Sequence, residues 1–286
     1  MKIAAVVILY HPDGNTVENI LSYSSFVTKV YIADNTEIPV PKIIDSISNV
    51  IPGCVYIHDG NNNGIAARLN EVCRRAKADG FDFILTMDQD SAFDDGVITT
   101  YFRCFEKFSD RERVSMFGVQ YENPQWVSEM CNPVPWTTLI TSGSLVNLGL
   151  FEQTGGFDEN LFIDTVDFEY CYRSILKGFK IILFKNVILT HHLGTTKPDD
   201  TSSNKTQVSY SLHSPIRLYY MIRNYLYLRP RYKNSFPTEM LRSRNAALNR
   251  VKINLLHNTN KLSIMRFVLQ AVLDFKRDRM GKFRKK

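Results

Sequence analysis

The residues best equipped for chemistry in this chain are acidic and come in short, spaced sets. Asp88-Gln89-Asp90 follows the apolar run Phe83-Ile84-Leu85-Thr86-Met87. Residues two apart on an extended backbone point the same way, so both carboxylates are expected on one side of a strand end. Two hard oxygen donors suit Mg2+ or Mn2+, and such an ion can bridge diphosphate oxygens and neutralise charge growing on a departing group. An ordinary surface turn offers the same residues, so the pair gains meaning only in company.

That company begins with Gly155-Gly156-Phe157-Asp158-Glu159, followed by Asp164 and Asp167 ahead of a helix expected over residues 168–176. A carboxylate there, not engaged by metal, can take the proton from an attacking hydroxyl. A carboxylate stabilised by the helix dipole is the plain alternative. His191-His192-Leu193-Gly194 adds imidazoles, ordinary ligands for Mn2+. Neighbouring side chains on an extended segment point to opposite sides, so one of the two histidines is expected to reach a site.

The elements that must position these groups are short apolar runs over residues 3–10, 29–33, Val55–Ile57 and 83–87, separated by segments long enough for helices. This βαβα pattern predicts an α/β fold with a mostly parallel sheet covered on both faces, and ligands at the carboxyl ends of the strands. Polar residues collect at those ends: Tyr10-His11, Asp34-Asn35-Thr36, Asn61-Asn62-Asn63-Gly64 and Asp88-Gln89-Asp90. Beyond residue 114, strand composition returns at 115–120, 139–148, 180–183 and 187–189, and residues 195–206 read as a mobile loop.

The glycine turn, Phe157-Asp158-Glu159, the acids before a short helix and Arg173 inside it resemble the acceptor-side motif of family-2 glycosyltransferases, in their rhamnosyltransferase-like branch. The resemblance runs from about Ile3 to Gly194. It implies a GT-A nucleotide-sugar-binding domain, Rossmann-like in its sheet, with a C-terminal helical extension. It also implies inverting transfer of a hexose, L-rhamnose from dTDP-L-rhamnose by resemblance, to a saccharide acceptor, lipid-linked acceptors included, in bacterial surface polysaccharide or O-antigen synthesis. Other donors of the class are UDP-galactofuranose and UDP-hexoses.

The matching position for the general base is Asp167. Val166 stands where many members have Glu, which leaves Asp164 as a rival. Asp88, Asp90 and His191 are the implied holders of a divalent metal, Mn2+ or Mg2+. Tyr10, Asp34, Asn62, Asn63, Gly64, Asn70 and Asp88 match donor-side positions. The implied roles are ring stacking or a backbone contact at Tyr10, base and ribose recognition at Asp34, and close backbone approach at Gly64. In the segment opening at Ser214-Pro215, Arg223 and Asn224 are implied to face the donor diphosphate or the acceptor.

The chain has 286 residues, 44% of them hydrophobic, enough for one sizeable core with an appended segment. The expected division is a catalytic domain over 1–210, with a nucleotide-sugar half over 1–120 and an acceptor half over 121–210, and a basic, aromatic helical tail over 211–286. Its five cysteines, Cys54, Cys73, Cys104, Cys131 and Cys171, are widely spaced and odd in number, which argues against a disulfide scaffold or a zinc site and for a reducing cytoplasm. No run reaches the roughly 20 apolar residues that cross a bilayer.

The surplus of +6 concentrates in the last third, and a nucleic-acid partner is not expected. Leu262, Met265, Leu269, Val272 and Leu273 recur at helical spacing before Lys276, Arg277, Arg279, Lys282, Arg284, Lys285 and Lys286. That pattern fits peripheral attachment to the anionic cytoplasmic face of a membrane, or a docking or homodimerisation helix with a solvated end. A nucleotidyltransferase would also use paired acids, but its glycine-rich basic phosphate loop is missing around His11-Pro12-Asp13-Gly14. A non-catalytic carbohydrate-binding protein would have no need to keep Asp88, Asp90, Asp167 and His191 together.

Overall fold

The computed structural model describes residues 1–121, 130–191 and 212–284, with His191 described by its main chain. The chain divides into two compact units. The first comprises Met1–Glu159 and Val166–His192, and the second Asn160–Thr165 and Leu193–Lys286.

The first unit opens with β1 (Ile3–Leu9), α1 (Asn15–Ser24), β2 (Lys29–Asp34), α2 (Pro41–Val50), β3 (Val55–Ile57), α3 (Ile65–Ala78) and β4 (Phe83–Asp88). It continues through β5 (Ser91–Ala92), α4 (Val97–Lys107), β6 (Val114–Gln120), β7 (Pro133–Pro135), β8 (Ser144–Asn147), α5 (Leu148–Thr154), α6 (Val166–Leu176), β9 (Lys180–Ile188) and β10 (Thr190–His191). Eight strands form one sheet in the order β3-β2-β1-β4-β8-β6-β9-β7. The pairs from β3 to β4 are parallel, β8 runs antiparallel between β4 and β6, β9 is parallel to β6, and β7 closes the edge antiparallel. The expected mostly parallel α/β sheet is present.

Every residue of β1 is buried, as its unbroken apolar run requires of a central parallel strand. Ala5, Val7 and Leu9 join one core with Ile20 and Tyr23 of α1, Ile47 of α2 and Tyr101 and Phe105 of α4. By the two-residue alternation, Ala4, Val6 and Ile8 turn to the other face. Both layers are therefore covered, and function is left to the strand ends.

Three local expectations change. The runs at 180–183 and 187–189 join, as far as Ile188, in the single strand β9. Of residues 139–148 only Ser144–Asn147 form a strand, β8, and Leu148 already opens α5, which Asn147 caps by accepting the N–H groups of Gly149 and Leu150. Cys104 and Cys131 are joined in a disulfide, with Cα atoms 5.3 Å apart, while Cys54, Cys73 and Cys171 are free thiols. That pairing corrects the expectation from spacing: folding, not a sequence interval, brings Cys131 to α4.

The second unit holds α7 (Pro215–Tyr232), α8 (Pro237–His257) and α9 (Lys261–Lys276). Ser214 caps α7 with Pro215 at its first position, as the sequence indicates. Its core gathers Tyr219, Tyr220, Ile222, Ala247 and Ala271, with Phe162 and Ile163 of the Asn160–Thr165 segment packed against it. Of the predicted α9 stripe, Val272 packs on this core, whereas Leu262, Met265 and Leu269 remain exposed. Leu241, Leu248 and Leu256 of α8 are exposed as well.

Candidate active site

Register brings three of the residues predicted on the donor side, Tyr10, Asp34 and Asp88, to one edge. Leu9 pairs with Asp34 across β1 and β2, and Ile8 pairs with Asp88 across β1 and β4. Tyr10, Asn35 and Gln89 therefore leave the sheet side by side. Gln89 turns toward β1: its Oε1 accepts the Tyr10 N–H at 2.7 Å and its Nε2 donates to the Tyr10 carbonyl at 3.1 Å. The Gln89 carbonyl accepts Asn19 Nδ2 at 2.8 Å, and the Asp88 N–H donates to Ser142 Oγ at 3.1 Å. Asp88 and Asp90 are half-buried, and Tyr10 is 46% exposed. Burial, and then the charge of Asp88, raise the pKa of the enclosed Tyr23 hydroxyl.

β5 and β10 form an antiparallel ladder that pairs His191 with Ser91, the residue after Asp90. The backbone thus carries His191 to the acidic pair. His192 and Gly194 lie outside the described residues, as does the loop expected at 195–206. Among the described residues, no three His, Cys, Asp or Glu side chains gather as a metal cage. The donor chemistry at the end of β4 nevertheless fits a divalent cation: two carboxylates in the spacing read from the sequence, with room in the ligand set for diphosphate oxygens and water.

The Asn61-Asn62-Asn63-Gly64 turn is organised by a residue that sequence reasoning missed. Arg68, 1% exposed on α3, donates Nε to Asn35 Oδ1 at 3.1 Å, Nη1 to Glu71 Oε2 at 2.8 Å and Nη2 to Asp59 Oδ1 at 2.5 Å. Its Nη2 also reaches the Asn61 carbonyl at 3.1 Å. Burial works against the Asp59 charge, but Asn63, Arg68 and the Asn61 N–H hold its carboxyl below the usual range. Asn35 accepts the Asn63 N–H at 3.1 Å and donates to the Gly64 carbonyl at 3.3 Å. Asn62 accepts the Gly64 N–H at 3.1 Å, and Gly64 sits at φ +84°, where a side chain is strained.

Asp34 is fully buried. One oxygen accepts the Thr36 N–H and the other the Tyr56 hydroxyl, both at 2.8 Å. Its carboxylate therefore shapes the Asn35-Thr36 main chain. Asn70 likewise differs from a helix-surface asparagine. It is buried, accepts the Phe157 N–H at 2.7 Å and donates to the Phe157 carbonyl at 2.9 Å and to Glu159 Oε1 at 2.7 Å.

A Cβ on Gly156 would lie 2.9 Å from Asn70 Oδ1, and its φ is +68°, so both space and conformation require glycine there. From α6, Arg173 donates to the carbonyls of Thr154 and Gly156 at 2.6 and 2.7 Å and forks onto Glu169. The glycine turn is thus clamped from two helices. Asp167, half-buried in the first turn of α6, accepts the Phe168 N–H at 2.9 Å.

Within the second unit, Asp164 Oδ1 accepts Nε and Nη2 of Arg217 at 3.0 and 2.7 Å. Burial raises the Asp164 pKa and Arg217 opposes the rise. Arg223 corrects its sequence assignment. It is 0% exposed, lies over the rings of Tyr219 and Tyr220, and donates to the Tyr219 hydroxyl and the carbonyls of Arg279 and Gly281. Its guanidinium is enclosed by aromatics and backbone, so it ties the C-terminal segment to α7 and presents no phosphate-binding fork.

Residues 14–141 match the model of the family described as Glycosyl transferase family 2. Residues 14–141 thus carry a family-2 glycosyltransferase domain. Its sequence is 27% identical to dTDP-rhamnosyl transferase RfbF of Shigella flexneri, across 96% of this chain and 95% of that one. The resemblance to rhamnosyltransferase-like members is met by this similarity. The fold is similar to that of S. aureus TarS, with TM-score 0.57 and 15% identity over 97% of this chain and 49% of TarS, so the chain spans about half of that protein. It is also similar to the mannosyltransferase PcManGT from Pyrobaculum calidifontis in complex with GDP-Man and Mn2+, with TM-score 0.57 and 12% identity over 97% and 83% of the two chains. The GT-A-like architecture implied by the motifs is therefore present.

Proposed function

We propose that this enzyme moves L-rhamnose from dTDP-L-rhamnose to a saccharide acceptor, free or lipid-linked, in the building of a bacterial surface polysaccharide. The observation that carries this reading is the register that sets Tyr10, Asp34 and Asp88 at one sheet edge, in a chain similar over nearly its full length to a dTDP-rhamnosyl transferase. The exposed Tyr10 ring offers a stacking surface for the nucleobase, and the Asn62-Asn63-Gly64 turn, held by Asn35 and Arg68, offers backbone to the donor. Asp34 and Asn70 serve by holding main chain in place.

Asp167 takes the proton from an acceptor hydroxyl as that oxygen bonds to the anomeric carbon. The bond from that carbon to the diphosphate oxygen breaks, its electron pair leaves with dTDP, and the single displacement inverts the configuration. Asp88, Asp90 and His191 would hold Mn2+ or Mg2+, whose charge, when bound, offsets that gathering on the diphosphate. The exposed leucines of α8 and α9, flanked by Arg242, Arg244, Lys252 and Arg266, support peripheral attachment at an anionic cytoplasmic membrane face.

The test is calorimetry with dTDP and UDP, each with Mn2+ and with chelator, followed by chromatography of dTDP released from dTDP-L-rhamnose. We expect dTDP binding that weakens at least about tenfold on chelation, a loss of roughly 1.4 kcal/mol. Affinity indifferent to chelation would remove the metal from the scheme, and no nucleotide binding would defeat the function.

A further inference from the structure

A second polar cluster lies wholly within the helical unit and has no part in the donor edge. Asn224 of α7 is 0% exposed, and its Nδ2 donates to the carbonyls of both Ile163 and Asp164, at 2.7 and 2.9 Å. Those two bonds fix the amide, so its Oδ1 faces away from them; it is buried and accepts no hydrogen bond from the described residues. Asp164 Oδ2 is in the same condition, its other oxygen being taken by Arg217. So is Nε2 of His213, whose imidazole interacts with the Asp164 charge and whose main-chain N–H donates to Asn254 Oδ1 at 3.1 Å.

Buried polar atoms without partners are rare, and each is costly unless something answers it. The backbone here is costly too. Asp164 and Thr165 are consecutive non-glycine residues at φ +66° and +61°, a conformation that persists where surrounding contacts impose it and that concentrates at functional sites. Asn224 holds the two carbonyls that flank the first of them.

The chemistry narrows what would answer these atoms. Two of them are oxygens that only accept, so the ligand must donate at least two hydrogen bonds. Burial, with the charges of Arg250 and Arg217, favours a neutral His213, whose Nε2 can accept or donate according to tautomer. Arg217 and Arg250 disfavour a cation, and Asp164 disfavours an anion. A neutral molecule with neighbouring hydroxyl groups satisfies all of these conditions.

We propose that Asp164 Oδ2, Asn224 Oδ1 and His213 Nε2 form a hydroxyl-binding subsite for the acceptor saccharide. The identification of that saccharide as an acceptor rests on the transferase reading and on the place of Asp164 three residues before Asp167. The hydroxyl-binding chemistry itself does not depend on that reading.

The test uses the full chain with methyl α-L-rhamnopyranoside and methyl β-D-glucopyranoside as probes, in saturation-transfer NMR without donor and as acceptors in transfer assays. His213→Phe keeps an aromatic ring and removes Nε2, and circular dichroism confirms its fold. At least one glycoside should lose fivefold or more of its saturation transfer in that variant, with acceptor KM raised tenfold or more and kcat changed less than threefold. His213→Gln, which keeps a polar group, should recover part of both. Equal signals and equal KM in wild type and His213→Phe would overturn the subsite, as would a wild type that binds neither glycoside and therefore holds only water there. Release of dTDP from dTDP-L-rhamnose reports on the transferase reading separately. Donor turnover with binding indifferent to His213 ends the subsite alone, whereas binding that requires His213 without donor turnover ends the acceptor identity alone.

Discussion

Gln89 grips the main chain of Tyr10 from both directions, accepting from its N–H and donating to its carbonyl. The central residue of the acidic triplet is therefore a fastener between β4 and β1, and the two aspartates flank it. Gln89→Leu should loosen the aspartates without disturbing the core, since the bonds it loses lie at the exposed strand end. We expect dTDP affinity in Mn2+ to fall about tenfold, close to the worth of one hydrogen bond, with the thermal midpoint nearly unchanged. Calorimetry and a melting curve check the two halves.

Asp167→Asn keeps the size of the side chain and its bond to the Phe168 N–H but cannot accept a proton. Transfer should fall about 10²–10⁴-fold, the range ascribed to a positioned general base, while dTDP affinity stays within about twofold. Asp164→Asn should leave more activity than Asp167→Asn, because Asp164 is already committed to Arg217. The reverse order in kcat would transfer the base role to Asp164.

Much of this arrangement was legible before the fold was seen. β3 has the bounds that its apolar run suggests, and β1, β2 and β4 differ from theirs by a residue, because buried parallel strands announce themselves as unbroken apolar runs. The acidic triplet and the acids before α6 stand out through spacing. Arg68 did not, although an arginine one turn after the Asn62-Asn63-Gly64 turn was a usable signal: its partners are spread from Asn35 to Glu71 and meet only in three dimensions. Arg223 misled because phosphate binding and aromatic enclosure use the same side chain. Within the helical tail expected over 211–286, α8 shows no clear stripe of its own, because its outward leucines blur the amphipathic pattern on which helix reading depends.

Asn70→Ala would orphan both the N–H and the carbonyl of Phe157 in the buried turn. The expected loss is about 2–4 kcal/mol, two unsatisfied backbone groups at the lower end of their usual cost. Urea unfolding measures it. Asn70→Asp, which keeps the acceptor for the Phe157 N–H, should lose less than the alanine variant.

His213 links stability to pH. Burial, followed by Arg250 and Arg217, lowers its pKa from 6.5, and Asp164 pulls the other way. A lowered value means that the unfolded chain binds the proton more tightly, so the contribution is present above pH 6.5 and is lost as pH falls through the folded value. The thermal midpoint should therefore drop less between pH 7.5 and 5.5 in His213→Phe than in the wild type. Parallel curves would show that the imidazole does not titrate differently in the fold.

Replacing Leu262, Met265 and Leu269 together by serine removes exposed apolar area and leaves the Tyr219 core intact. Flotation with vesicles containing anionic lipid should show most of the binding lost, and neutral vesicles should bind weakly throughout. If the variant floats as the wild type does, the outward stripe serves another purpose, and a changed elution volume would identify that purpose as dimerisation.

The bonds from Asn224 to the carbonyls of Ile163 and Asp164 make the helical unit a co-owner of the chain between Glu159 and Val166. Evolution therefore cannot exchange the C-terminal helices as a cassette. A borrowed helical region must come with a matching hexapeptide from the middle of its donor, or the segment leading into α6 loses its clamps. Diversification of acceptor preference in such enzymes would then proceed by paired substitutions at two distant stretches of gene, and a chimera joined at a single crossover near residue 210 would inherit mismatched halves of one lock.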